Sequence, residues 1–134
     1  MRYISTRGAA PSLGFDEVLL AGLASDGGLY LPQSWPQFNA QAIKDLRTLP
    51  YAELATRIMS PFVKGSSFEK EFPDLVHSAY AAFTHPAVTP LVQLDSHLWL
   101  LELFHGPTFA FKDVVKAHQS IESRASSGSV VLTF

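Results

Sequence analysis

The 134-residue chain contains no cysteine, which excludes disulfides, thiolate nucleophiles and cysteine-bound zinc and leaves the redox state of its compartment unread. Charge is also sparse, with ten Lys and Arg against twelve Asp and Glu. The basic residues run from Arg2 to Arg124 without clustering, so the electrostatic footprint of a nucleic-acid or anionic-membrane binder is missing. No apolar run reaches the roughly 20 residues that a spanning helix needs, and no apolar core follows Met1-Arg2-Tyr3-Ile4-Ser5 as it would in a secretory leader. A cytoplasmic setting is the default expectation. There is no Gly-x-Ser-x-Gly elbow, so a serine hydrolase has no foothold. His77, His85, His97, His105 and His118 show no paired ligand spacing with an acidic partner, and no metal is implied. What the chain does have is apolar residues, 47% of the total, and a length within the usual range of one domain. A folded chain with small-molecule chemistry is the expectation.

Tyr3 to Ser5 reads as a short extended segment, followed by turn chemistry from Arg7-Gly8 to Gly14. Phe15, Val18, Leu19, Gly22 and Leu23 then recur as one buried helical face, with Asp16 and Glu17 at its positive end, and Ser25-Asp26-Gly27-Gly28 stops it. Leu29 to Pro32 is extended, and Ser34-Trp35-Pro36 continues as a loop with an aromatic plug. Asn39 suits the N-cap of a helix carrying Ile43 and Leu46, and Pro50 suits the first turn of the next. That helix presents Tyr51, Leu54, Ala55, Ile58 and Met59 and is expected to stop near Pro61, since the residue before proline is pushed out of the helical region. Phe72, Leu75, Val76, Ala79, Tyr80 and Phe83 repeat the pattern from about Pro73 to Thr84.

From Val88 the character changes. Leu91 to Leu94 and His97 to Leu103 predict two strands joined by an Asp95-Ser96 turn. Phe104 to Thr108 contains Gly106-Pro107, and Thr108 suits the cap of a helix from about Phe109 to Ser123. Ser126-Ser127-Gly128-Ser129 then breaks the pattern, and Val130-Val131-Leu132 starts what reads as another strand.

The chemistry is concentrated between Leu101 and Asp113, where Lys112 stands among aromatics just inside a helix that follows a strand and a Gly-Pro turn. Apolar neighbours and the positive end of a helix both disfavour an ammonium ion, so such an amine is ready to attack a carbonyl. Gly106 permits close backbone approach to a ligand, and Pro107 stiffens the entry to the helix. By pattern alone, a solvated lysine beside Asp113 is the commoner outcome. The order of the words decides otherwise. Phe104 to Asp113 closely resembles the lysine signature of threonine synthase, a pyridoxal phosphate enzyme of the tryptophan synthase β-like fold, with Phe109 where leucine is usual. Tyr3 to Gly8, Phe15 to Ala24, Asp26 to Pro32 and Thr89-Pro90-Leu91 look like the N-terminal region of the same family, in the right order.

The resemblance covers residues 1 to about 115 and implies an α/β fold: a mostly helical N-terminal domain over 1–87, then over 88–134 the opening strands and lysine helix of an incomplete fold-type II enzyme of this cofactor. It implies that Lys112 bonds pyridoxal 5'-phosphate and that Phe111 packs near the cofactor ring, with His105, Thr108 and Asp113 around the site. The implied reaction converts O-phosphohomoserine and water to threonine and phosphate. The family's Ser-Gly-Asp-Thr-Gly phosphate loop has no counterpart here, since Ser126 to Ser129 precedes a strand rather than a helix. After Asp113 the match fades into a more polar helix, and the chain is expected to be the incomplete front piece of a larger enzyme. Two alternatives are a non-catalytic module that pairs with a full-length partner or with itself through exposed edges, and another lyase of the same cofactor fold, such as a dehydratase.

Overall fold

Tyr3-Ile4-Ser5 is the first element along the chain, and its alternation of inward and outward groups suits a strand with one covered face. In the computed structural model, which describes residues 1–109, β1 (Tyr3–Ser5) pairs antiparallel with β2 (Tyr30–Pro32), placing Ile4 opposite Leu31. Tyr3 and Ser5 are buried and Ile4 is exposed, the period of two expected of such a ribbon. The free edge of β1 bonds Leu13 in both directions, at 2.9 and 3.0 Å.

Helix α1 (Phe15–Ala21) starts at Gly14, whose amide donates to the Glu17 carboxylate at 2.7 Å. Its expected buried face is corrected. The helix ends before Gly22, Phe15, Val18 and Leu19 are only half-buried, and Leu23 is exposed, because the chain turns away at Gly22 with a positive φ of 66°. Helix α2 (Ala40–Leu46) is capped as expected by Asn39, whose side chain accepts from the Ala42 amide at 2.8 Å, although Ile43 is exposed. Trp35 is likewise an exposed side chain that meets the Phe62 ring edge-on at 6.0 Å, and it plugs nothing.

Helix α3 (Tyr51–Val63) runs through Pro61 instead of stopping there. A proline that late removes one amide hydrogen bond, and the last turn is held by tertiary contacts. Val63 is buried in the core, and the Phe62 carbonyl accepts the Tyr3 hydroxyl at 2.7 Å. Ile58, expected on the inner face, is exposed. Helix α4 (Phe72–Tyr80) packs against α3, and together they build the core from Val63, Phe72, Val76, Tyr80 and Val88. Around it lie Tyr51, Met59 and Phe83, with the Tyr51 and Tyr80 rings edge to face at 5.0 Å.

Val88 closes this core in a left-handed backbone conformation, φ 58°, which is rare for a β-branched residue. The strain is tolerated because the side chain is almost wholly buried and the Val88 amide donates to the His85 carbonyl at 2.8 Å.

Strands β3 (Leu91–Asp95) and β4 (Leu98–Leu101) form an antiparallel hairpin. Its turn is Ser96-His97 rather than Asp95-Ser96. Asp95 pairs with Leu98 while Gln93 pairs with Trp99, so the register shifts at Leu94 and carries the strand one residue further than alternation predicts. His97 lies in the turn, and Glu102 and Leu103 fall beyond the strand end. Every residue of both strands is exposed among the described part. No helix there is long and apolar enough to cross a membrane.

Candidate functional site

β4 leads directly into the segment that the sequence singles out. The Glu102 amide donates to the Pro90 carbonyl at 3.0 Å, which holds the strand exit beside the entry of β3. Three residues later the His105 carbonyl accepts two hydrogen bonds from Thr84, one from its amide at 3.0 Å and one from its hydroxyl at 3.1 Å. The hairpin exit is thereby tied to the chain that follows α4.

The His105 imidazole touches two rings, Phe104 at 4.8 Å and His85 at 4.9 Å between centroids. Its Nε2 is 2.7 Å from the Glu102 carboxylate, and each of these side chains is about one-fifth exposed, at 19% and 20%. Gly106 behind them is buried, and the Gly106 carbonyl accepts the Phe109 amide at 3.1 Å. Phe109 is not the first residue of a helix. It has a positive φ of 56° and is 75% exposed, the geometry of a turn.

Of the residues expected around the site, His105 and Thr108 share this turn, Thr108 being exposed. Lys112, Phe111 and Asp113 lie outside the described residues, as do the expected helix to Ser123 and the strand at Val130. Sequence reasoning missed Glu102, Thr84 and the pairing of His85 with His105. For Glu102, the spacing of three to a histidine just past a strand was a usable signal. For Thr84 and His85 the partner is about twenty residues away, and no local pattern announces it.

Beside His85 an open depression of about 330 Å³ is floored by Tyr51, Tyr80, Phe83 and Val88. Burial pushes the Tyr80 hydroxyl above the usual tyrosine range, with Tyr51 adding to the effect. None of its lining residues is Lys, Arg, Asp or Glu, so the depression suits apolar contact better than a phosphate. Among the described residues no cluster of three or more metal-ligating side chains is formed.

Comparison with known proteins gives a consistent picture. Residues 2–80 match the family model described as threonine synthase N terminus. Threonine synthase of Pseudomonas aeruginosa is 58% identical over 113 residues, covering 84% of this chain and 24% of that protein. That of Schizosaccharomyces pombe is 44% identical, covering 84% and 22%. The crystal structure of PLP-bound threonine synthase from Brucella melitensis superposes with a TM-score of 0.86 at 51% identity, over 93% of this chain and 27% of that one. The chain therefore has the mixed α/β architecture of the N-terminal part of such structures and spans about a quarter of its relatives' length.

Proposed function

The chain belongs to the threonine synthase family, and from that premise we propose that it forms the N-terminal part of an enzyme converting O-phosphohomoserine and water to threonine and phosphate, in a cytoplasmic setting. Lys112 is the amine that bonds pyridoxal 5'-phosphate. Phe111 packs near the cofactor ring, and Asp113, His105 and Thr108 surround it. Residues 1–87 constitute an N-terminal domain, and 88–134 open the cofactor-binding one. The observation that carries this reading is the close superposition on a PLP-bound threonine synthase over 93% of the chain.

The residues present meet the cofactor's needs only in part. Lys112 offers the amine, but the 134 residues hold no Ser-Gly-Asp-Thr-Gly loop, and the depression beside His85 has no lysine or arginine in its lining. When bound in the family, pyridoxal phosphate supplies an electron sink for carbanions at the substrate. This chain's own contribution is an amine that takes and gives a proton at Nζ, and a framework that presents it. An imine without a phosphate cradle is open to hydrolysis, so the chain alone is expected to lose the cofactor on dialysis.

A chimera tests the proposal. The matching 113-residue segment of the Pseudomonas aeruginosa enzyme is replaced by this chain's, and phosphate release from O-phosphohomoserine is measured. Activity that disappears on Lys112→Ala is expected. A folded, inactive chimera, or one indifferent to Lys112→Ala, overturns the reading.

One observation favours a non-catalytic role instead: the β3–β4 hairpin leaves Leu91, Leu94, Leu98, Trp99 and Leu101 between 49% and 62% exposed. Such a surface suits pairing with a second copy. Light scattering decides, since a clean monomer at high concentration removes that option.

A further inference from the structure

We propose that Asp95-Ser96, at the tip of the β3–β4 hairpin, is a covalent modification site where the chain converts itself through a cyclic imide to isoaspartate. The fold keeps Asp26-Gly27, the more reactive pair by sequence, shut against the same reaction.

Ring closure needs a backbone nitrogen to reach the carboxyl carbon of the residue before it, and a small following residue leaves room for that. Two aspartates have such a neighbour, Asp26 before Gly27 and Asp95 before Ser96. At the hairpin tip the Ser96 amide nitrogen lies 2.7 Å from Oδ1 of Asp95, and the carboxyl carbon is one bond beyond that oxygen. Both residues are exposed, so water can leave and return. Outside glycine, only Val88 and Phe109 among the described residues have a positive φ. Ser96-His97 is therefore not one of the primed turns that match the twist of two strands, and the tip can adjust as the ring closes.

Asp26 is the opposite case. Its carboxylate accepts from the Ser5 hydroxyl and from the Ala9, Ala10 and Gly28 amides, at 2.7 to 3.0 Å. The nitrogen that would attack, that of Gly27, donates instead to the Ala24 carbonyl at 2.8 Å. The ring closes fastest on a protonated carboxyl, and hydrogen bonding, that of Ser5 first, holds this one at about 2, so the protonated form is scarce.

The chemistry balances with water alone and is independent of Lys112. The Ser96 nitrogen bonds to Cγ of Asp95, and its proton leaves with the carboxyl hydroxyl as water. A second water opens the imide. Cleavage between the nitrogen and the former main-chain carbonyl carbon routes the backbone through Cβ and Cγ and leaves a carboxylate on the old carbonyl. The main chain is then longer by one methylene where Asp95 pairs with Leu98, so that pairing is lost and the register set at Leu94 is released.

The experiment ages the full 134-residue chain in warm, mildly acidic ¹⁸O-water, once folded and once in urea, and maps its peptides by electron-transfer mass spectrometry. A protein isoaspartate methyltransferase with labelled S-adenosylmethionine, which esterifies the new carboxylate, counts the product independently. In urea Asp26 is expected to lead. In the folded chain the order reverses, with Asp95 modified about tenfold faster than Asp26, whose hydrogen bonds must open first. Ser96→Val, which crowds the attacking nitrogen, should slow the reaction at Asp95 and leave Asp26 unchanged. Asp95→Glu, whose longer side chain closes the ring poorly, should remove the product at that position and leave Asp26 unchanged. Absence of isoaspartate at Asp95 in the folded chain, the same order of the two sites with and without urea, or an unaltered rate at Asp95 in Ser96→Val overturns the proposal.

Discussion

The Tyr3 hydroxyl donates to the Phe62 carbonyl at 2.7 Å, so the first strand is fastened to the last turn of α3 across 59 residues of sequence. Burial pushes this phenol up to about 12. A raised value in the fold means that the stabilisation is complete below the unfolded value near 10 and is lost as pH rises toward 12. Tyr3→Phe is expected to cost about 1 kcal/mol at neutral pH, with a shallower alkaline loss than the parent chain, both read by urea unfolding from pH 7 to 11.

Asp26 gathers the opening loop. Its carboxylate accepts from the Ser5 hydroxyl at 2.7 Å, from the Ala9 and Ala10 amides at 3.0 and 2.9 Å, and from the Gly28 amide at 2.9 Å. The Ser5 bond is the largest cause, with the backbone amides adding, and burial opposing, and the carboxyl is held at about 2. A depressed value contributes stability above the unfolded value near 3.9 and loses it as pH falls toward 2. Asp26→Asn, which cannot accept on both sides, is expected to lower the neutral-pH urea midpoint and flatten its dependence between pH 4 and 2.

Two glycines should respond differently to alanine. A Cβ on Gly28 would meet the Ser5 hydroxyl at 2.4 Å and Asp26 at 3.0 Å, both part of that same loop network. On Gly14 it would meet only the flexible Glu17 carboxylate, at 3.5 Å. Gly28→Ala is expected to cost about 1–3 kcal/mol and Gly14→Ala well under 1 kcal/mol, measured as a pair by chemical denaturation.

Val76 has no exposed surface and sits at the centre of the α3–α4 core. Removing two of its methyl groups as Val76→Ala should cost about 2–3 kcal/mol through lost burial and the cavity left behind. The exposed Ile43→Ala is the control, and a thermal melt showing equal losses contradicts this core.

Element order and most helix starts were legible because they depend on local rules: the Asn39 cap, the spacing from Phe72 to Tyr80, and the alternation around Tyr3. The misses share a physical origin in contacts between distant residues. Pro61 remains helical because Tyr3 and the core hold the turn around it. The hairpin turn moves by one residue because the pairing absorbs an extra one at Leu94. Of the candidate site, Lys112 was named from the order of words in the sequence, and the geometry around His105 required Thr84, which no periodicity relates to it.

The bulge at Leu94 carries a consequence for how this polypeptide can go astray. A strand normally remembers its alignment because slipping by one residue would turn its oily side to water. The Leu-Trp-Leu-Leu run from Leu98 is oily on both sides and gains no such protection. Among the described residues the kink, the tight reversal at Ser96-His97 and the Glu102–Pro90 bond at the open end keep the two halves in step, so shortening that reversal should trade one alignment for several and favour fibrous aggregates over a soluble chain.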